Sequence, residues 1–235
     1  MTAAPLVVRQ VTPADLSALV MLNHLAYPDL VEDNVVWTEA QVRNHLAVFP
    51  EGQLVVERAG EIIGAVSSLI VDLGRDPLRR HTWAGVTDDG YFANHDRAAD
   101  TLYGADIYVH PAARGMGVGA LLYEARRALC RRLGLRRILS GGRLADYHAH
   151  RELAPEAYVA AVQAGELHDR VLSFQLREGF AVRGVLFDYL RDPASLNYAT
   201  LIEWLNPDYR APSACRTCGQ LLKGAQQIAG VEGAR

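Results

Sequence analysis

Val109-His110-Pro111-Ala112-Ala113-Arg114-Gly115-Met116-Gly117-Val118-Gly119 is the stretch on which the fold turns. Pro111 stops the strand before it, Gly104-Ala105-Asp106-Ile107-Tyr108-Val109-His110, because proline has no N–H to give to a sheet ladder. After the glycines, Val118, Leu121, Leu122, Ala125, Leu129 and Leu133 recur at helical spacing, and Gly134 ends the run. Strand, glycine-rich turn and helix start thus follow one another. The first N–H groups of a helix have no acceptor within it, so such a junction donates to anions such as phosphate. Gly115, Gly117 and Gly119 remove the Cβ atoms that would hold a phosphate away from the backbone, and Arg114 adds positive charge at the mouth. No Gly-Lys-Ser/Thr follows, so this is not a Walker loop. Nor is it the dinucleotide fingerprint, which places Gly-x-Gly-x-x-Gly after a chain's first strand.

Upstream, Leu6-Val7-Val8 with Val11 forms a short first strand. Thr12-Pro13-Ala14-Asp15 opens a helix whose buried stripe is Leu16, Leu19 and Val20. Thr38-Glu39-Ala40-Gln41 is a capping box ahead of Val42, Leu46 and Phe49. Leu54-Val55-Val56 and Ile62-Ile63-Gly64-Ala65-Val66 are strands joined at Ala59-Gly60, the second extending toward Val71. Residues 72–100 show no period and are either a functional loop or a missed element. Downstream, Arg137-Ile138-Leu139-Ser140 is a strand closed by Gly141-Gly142. An inserted helix covers residues 154–167, a further helix Val171-Leu172-Ser173-Phe174-Gln175-Leu176 ends at Gly179, and the last strands cover residues 180–189 and 199–204. Residues 1–209 form one domain, and residues 210–235 are expected to be a loosely ordered tail.

Half of the 235 residues are hydrophobic and 22% are charged, with a net charge of −3. That is ample for one buried core and excludes a chain-wide basic field for nucleic acid. The N-terminus has no basic and apolar leader pattern, and no apolar run is long enough for a bilayer, so no membrane association is expected. Three cysteines, with Cys130 in a helical pattern far from Cys215 and Cys218, make no disulfide scaffold and suit a reducing cytoplasm. Cys215-Arg216-Thr217-Cys218 is half of a zinc ribbon without its second half, and His148-x-His150 lacks the partners of a known metal site, so no metal is expected. Arg126, Arg127, Arg131, Arg132, Arg136 and Arg137 are taken as a solvated face.

The loop resembles motif A of the GNAT superfamily of acyl-CoA N-acyltransferases, Arg/Gln-x-x-Gly-x-Gly/Ala preceded by Val-x-Pro; Arg114, Gly117 and Gly119 fill it. The order of elements from Leu6 to Tyr209 is similar too. The resemblance implies an α/β fold, a GNAT-like mixed, splayed β-sheet flanked by helices, here with two insertions at residues 72–100 and 143–169. It implies acetyl-CoA as co-substrate, its pyrophosphate held by Arg114, Gly115, Met116, Gly117, Val118, Gly119 and Ala120 and its pantetheine arm paired with the strand at Val109. Phe49-Pro50-Glu51-Gly52-Gln53, Tyr103-Gly104-Ala105-Asp106, Ser140-Gly141-Gly142-Arg143, Ser173-Phe174-Gln175-Leu176 and Tyr198-Ala199-Thr200 resemble the GNAT-type domain fused to carbon–nitrogen hydrolases in some bacteria; this chain ends where such a hydrolase would begin.

Transfer to an amine needs a neutral amine, a polarised carbonyl and a proton for the thiolate. On the strand before the loop, Ile107 and Val109 share one face, leaving Asp106 and Tyr108 as the catalytic candidates on the other. Asp106 either takes the amine proton, binds a cationic acceptor or pairs structurally. Arg143, after two glycines, suits an acceptor carboxylate or a surface ion pair; Tyr147 joins it as a substrate-binding candidate. The family often carries a tyrosine general acid four residues before the Gly-Phe that ends the late helix, and here that position is Gln175, which cannot be an acid. Tyr108, Tyr147 or water would then protonate the thiolate. The expected function is acetyl transfer to the primary amine of a small molecule, a carboxylated amine among the options. The alternative is a non-catalytic acyl-CoA-binding regulatory domain partnering an amidase-type enzyme. The oligomeric state, a homodimer included, is not written in the sequence.

Overall fold

The computed structural model describes residues 4–30, 36–74, 76 and 78–211. Its strands are β1 (Leu6–Gln10), β2 (Leu54–Arg58), β3 (Glu61–Val71), β4 (Thr101–Val109), β5 (Arg137–Arg143), β6 (Ala181–Leu186) and β7 (Ala199–Leu205). Its helices are α1 (Leu16–Ala26), α2 (Glu39–Val48), α3 (Trp83–Thr87), α4 (Val118–Arg132), α5 (Pro155–Ala164) and α6 (Leu172–Arg177). The seven strands form one sheet in the order β1-β2-β3-β4-β5-β7-β6. Every neighbouring pair is antiparallel except β4 and β5, which are parallel. The capping box at Thr38 forms, with Gln41 N–H donating to the Thr38 hydroxyl at 3.3 Å and the Gln41 side chain accepting from Thr38 N–H at 2.9 Å. The expected tail, including Cys215 and Cys218, lies outside the described residues from residue 212 onward.

The parallel pair decides where a ligand can go. β4 and β5 are in register only from Thr101 opposite Arg137 to Tyr103 opposite Leu139. Beyond that point β4 stays with β3 as far as Val109, and β5 stays with β7 as far as Arg143, so the two strands part and the sheet opens. A β-bulge coincides with the parting. Ser67 faces Asp106 and Ser68 faces Gly104, leaving Ala105 as the extra residue that bends β4.

The layers follow from alternation along the strands. Val55, Ala65, Leu69 and Tyr103 pack with Leu19, Leu22 and Ala26 of α1 on one face. Val56 and Val66 pack with Val118 and Leu122 of α4 on the other. One open alternative is decided here, in favour of a missed element, and two expectations are corrected. Residues 72–100 are not a structureless loop: they carry α3, and Val86 and Phe92 are buried. Trp83 lies 5.3 Å from Trp37 and Phe92 stacks at 3.7 Å on His45, ring centroid to centroid, so polar composition hid a second apolar lining for α1 and α2. Gly141 and Gly142 do not close β5 but lie inside it, because β7 pairs on through Arg143. The arginines of α4 and β5 are not one solvated face, since Arg126 and Arg137 are buried.

Arg137 bonds Glu203 at 2.8 Å, and Glu203 also takes Arg183 at 2.7 Å. Both the Arg137 and Glu203 side chains are almost wholly enclosed. Removing one partner of such a pair strands a buried charge, whereas an exposed pair contributes little. Glu203→Ala should therefore lower unfolding free energy by about 3 kcal/mol. Glu124→Ala, which removes exposed bridges to Arg127 and Arg131, should change it by no more than about 0.5 kcal/mol. Urea midpoints at constant slope measure both.

Candidate active site

The gap between β4 and β5 is a cavity of about 890 Å³. One end is the glycine-rich junction. Gly115 and Gly117 adopt φ of +78° and +82°, the left-handed region in which a Cβ is strained, and Gly117 immediately precedes the first turn of α4. The amides of Val118, Gly119 and Ala120 have no intrahelical acceptor by position. All of Arg114, Gly115, Gly117, Val118, Gly119 and Ala120 line the cavity, as does Val109 at the end of β4. Gly119 has a packing reason as well, since a Cβ there would press on the ring of Phe174 in α6 at 2.8 Å. Arg114 is tethered, donating to the Ala26 carbonyl at the end of α1 at 3.2 Å. Met116 does not join them. It is exposed, and its Sδ accepts from Arg58 at 3.6 Å.

The other end is built around Asp106. Its Oδ1 accepts from the Ile107 N–H at 2.8 Å and its Oδ2 from Asn23 Nδ2 at 2.9 Å; the Tyr27 hydroxyl, with one hydrogen, lies 2.9 Å from Oδ1 and 2.6 Å from the Ile107 carbonyl. Burial pushes the carboxyl up to about 6, against the opposing pull of the donors from Tyr27, Ile107 and Asn23. Tyr108 lies in the same wall, its ring edge-on to Tyr27 at 6.3 Å, and burial with the nearby Asp106 charge holds its hydroxyl well above the usual phenol range. Behind the bulge, Arg126 donates from Nε to Ser68 Oγ at 3.0 Å and from Nη2 to the carbonyls of Ser67 at 3.1 Å and Asp106 at 2.5 Å.

Two acceptor-side expectations are revised. Arg143 lines the cavity, but its fork is taken: Nε and Nη2 meet the two oxygens of buried Asp192 at 2.8 and 2.7 Å, and Nη2 also reaches Asp29 at 2.7 Å. A guanidinium so engaged is not a free clamp for a substrate carboxylate. Tyr147 points into the cluster around α5, packs on Tyr158 and Tyr198, donates to the Leu153 carbonyl at 2.7 Å and is not part of the cavity wall.

Sequence reading missed Asn23, Tyr27, Trp83 and Tyr189, all of which shape the cavity or its carboxylate. Asn23 carried a signal: it sits beside Leu19, Leu22 and Ala26 on the buried stripe of α1, where a polar side chain needs a partner. Trp83 carried none, because it belongs to a segment without a clear period, and Tyr27 and Tyr189 lie just past the ends of α1 and β6, where periodicity no longer says which way a side chain points. Gln175 is buried beside Gly142, with its amide Nε2 3.4 Å from the Tyr123 hydroxyl. Among the described residues, no group of three or more His, Cys, Asp or Glu is placed to hold a metal, and no helix is long and apolar enough to cross a membrane.

The family described as the acetyltransferase (GNAT) family matches residues 19–153 of this chain. YkwB of Bacillus subtilis (strain 168), named an uncharacterized N-acetyltransferase, is 38% identical over 209 residues, covering 88% of this chain and 92% of that protein. YhcX of the same organism, named a probable hydrolase, is 41% identical over 206 residues, covering 87% of this chain but only 39% of that protein, so the chain spans about two fifths of its length. Among solved structures, the GphF GNAT-like decarboxylase in complex with isobutyryl-CoA superposes with a TM-score of 0.72 at 25% identity, over 85% of this chain and 99% of that one. The splayed mixed sheet, the loop at its opening and these relatives together place the chain in the acetyltransferase (GNAT) family.

Proposed function

We propose that the protein transfers an acetyl group from acetyl-CoA to the primary amine of a small molecule. The observation that carries this reading is one continuous cavity with a helix start built for phosphate at one end and a buried carboxylate at the other. The pyrophosphate would sit on the amides at the start of α4. The pantetheine arm would run along β4 at Val109, where β5 has turned away and left that strand edge without a partner strand. The name of YkwB and the family match support the donor and the class of reaction.

Asp106 serves the acceptor. A carboxylate poised near 6 is ionised at neutral pH, draws an ammonium group into the cavity and holds the nitrogen beside the thioester. Tyr108, kept neutral by burial, is available as a donor to the reacting groups. The charge around this end favours a cationic amine without a carboxylate: Asp29 and Asp106 line it, Arg143 is occupied by Asp29 and Asp192, and Arg170 is paired with Asp146 at 2.9 Å.

Calorimetry tests the donor. Acetyl-CoA should bind and raise the melting temperature by linkage. Gly117→Val should weaken binding at least about tenfold while the fold persists, since left-handed backbone costs a side chain only about 1–2 kcal/mol. Absence of binding at millimolar acetyl-CoA would overturn the reading, and tight binding without thiol release on any amine class would favour the regulatory alternative.

A pH series tests Asp106. Turnover of the native enzyme should fall as the pH drops below about 6, because protonation removes the negative charge that holds the amine. Asp106→Asn should lower turnover by about a hundredfold, leave acetyl-CoA affinity unchanged and lose that acidic limb. Native turnover in the variant would make Asp106 structural.

A further inference from the structure

Acetylation of an ammonium compound by a thioester yields an amide, a free thiol and one proton more than the site can keep. The nitrogen loses two hydrogens; one ends on the sulfur and the other must leave. Asp106 is a poor terminus for it, because both its oxygens already accept hydrogen bonds and it must be ionised again for the next acceptor. A second cavity, of about 570 Å³, lies in the insertion between β3 and β4 and is lined by Arg79, Arg80, His81 and Thr82. Between the two cavities runs an unbroken chain of hydrogen bonds. His81 Nε2 is 2.8 Å from the Tyr103 hydroxyl, and the Tyr103 hydroxyl is 2.9 Å from that of Tyr189. Tyr189 lines the large cavity, His81 lines the second, and Tyr103 is fully buried and lines neither.

Resting on the acetyl-transfer reading, we infer that Tyr189, Tyr103 and His81 form a relay that carries the surplus proton out of the acceptor end of the site, with Tyr189 as the group that meets the substrate. The direction is set by one carbonyl. His81 Nδ1 is 3.0 Å from the Arg79 carbonyl oxygen, which only accepts, so Nδ1 carries the proton of the neutral ring and Nε2 presents a lone pair. Tyr103 therefore donates to His81. Its single hydrogen is then used, so Tyr189 donates to Tyr103. The Tyr189 oxygen, in the wall of the large cavity, is left with acceptor capacity. All three hydrogens point away from the large cavity.

The step balances without any redox partner. The ammonium nitrogen gives a proton to Tyr189 Oη as the Tyr189 proton passes to Tyr103 Oη and the Tyr103 proton passes to His81 Nε2. The imidazolium gives one proton to water in the exit cavity; exchange with that water returns the remaining ring proton from Nε2 to Nδ1, and rotation of the two hydroxyls completes the reset. Burial favours the neutral form at each station: it raises both phenols and lowers the imidazole, on which the Arg79 charge acts in the same sense. No station therefore traps the proton as it passes. Asp72, Asp96 and Arg80 are the other charged groups lining the exit cavity. Gly141 has a reason to lack a side chain here, since a Cβ would collide with the ring and hydroxyl of Tyr189. The relay also addresses Gln175: with no acid at that position, the second nitrogen proton can serve the thiolate while the first leaves through Tyr189.

The experiment has two arms. In the first, His81→Ala, Tyr103→Phe and Tyr189→Phe are compared at saturating acetyl-CoA with an amine that the native protein acetylates. Each should lower kcat by about tenfold to a hundredfold, with acetyl-CoA affinity and melting temperature nearly unchanged. Added imidazole should restore His81→Ala in a concentration-dependent way and should not restore Tyr103→Phe, where the break is internal. Native kcat in the variants, or a His81→Ala loss that imidazole leaves untouched, would overturn the relay. The second arm needs no turnover. Nitrogen-15 NMR of the free native protein should show His81 neutral with its proton on Nδ1, and Tyr103→Phe should shift the Nε2 resonance by removing its donor. A ring protonated on Nε2 overturns the relay whatever the activity, whereas a native protein that acetylates no amine overturns the acetyl-transfer reading separately.

Discussion

A guanidinium buried behind the sheet holds the site open. Arg126 reaches from α4 across to β3 and β4 and donates to Ser67 O, Ser68 Oγ and Asp106 O, the groups that the bulge at Ala105 leaves at the seam. A carbonyl turned out of a ladder inside a protein needs a donor, and a guanidinium supplies several in a fixed plane. With those groups satisfied, β4 can bend away from β5, and the bend creates the cavity. Gly104 lies where a Cβ would press on the same guanidinium, so strand and arginine fit only as a pair. Asp106 is the residue that the bulge aims, and its backbone carbonyl and side chain are fixed from opposite directions by Arg126 and by Asn23 and Tyr27.

The two halves of the cavity use different physics. The donor end relies on backbone: amides at a helix start and glycines whose φ is positive, an arrangement suited to a diffuse negative charge whatever the rest of the ligand carries. The acceptor end relies on side chains drawn from distant parts of the chain, with Asp29 following α1, Asp106 on β4, Arg143 on β5 and Asp192 before β7. There the Arg143–Asp192 pair is enclosed, so which charges remain free matters more than how many are present. Arg143 illustrates the point: it is a cation in the wall of the site whose hydrogen-bonding fork is already spent on Asp192.

The insertion between β3 and β4 does more than cover the sheet. Trp83 donates to the Ala105 carbonyl at 3.0 Å, directly on the bulge, and also lines the cavity. Its aromatic contacts with Trp37, and those of Phe92 with His45, fasten it to α2. A polar-looking segment is thereby part of the core and part of the site. The same segment supplies His81, so the wall of the site and the exit from it come from one stretch of chain.

What the sequence by itself determined was everything governed by neighbours in the chain. The glycine loop, the strand and helix around it, the capping box at Thr38 and the family resemblance could all be read there, because phosphate-binding amides and helix caps are built from consecutive residues. Asp106 was legible too, as a polar residue on a strand that runs to the loop. Only the tertiary structure decided that Arg126 and Arg137 are buried, that Gly141 and Gly142 lie within a strand, that Arg143 is occupied and that Tyr147 faces away from the site. The three arginines depend on partners tens of residues distant: Asp192 for Arg143, Glu203 for Arg137, Ser67 for Arg126. Charge and hydrogen-bonding capacity are properties of a residue, but whether they are free or spent is a property of what the fold sets beside it.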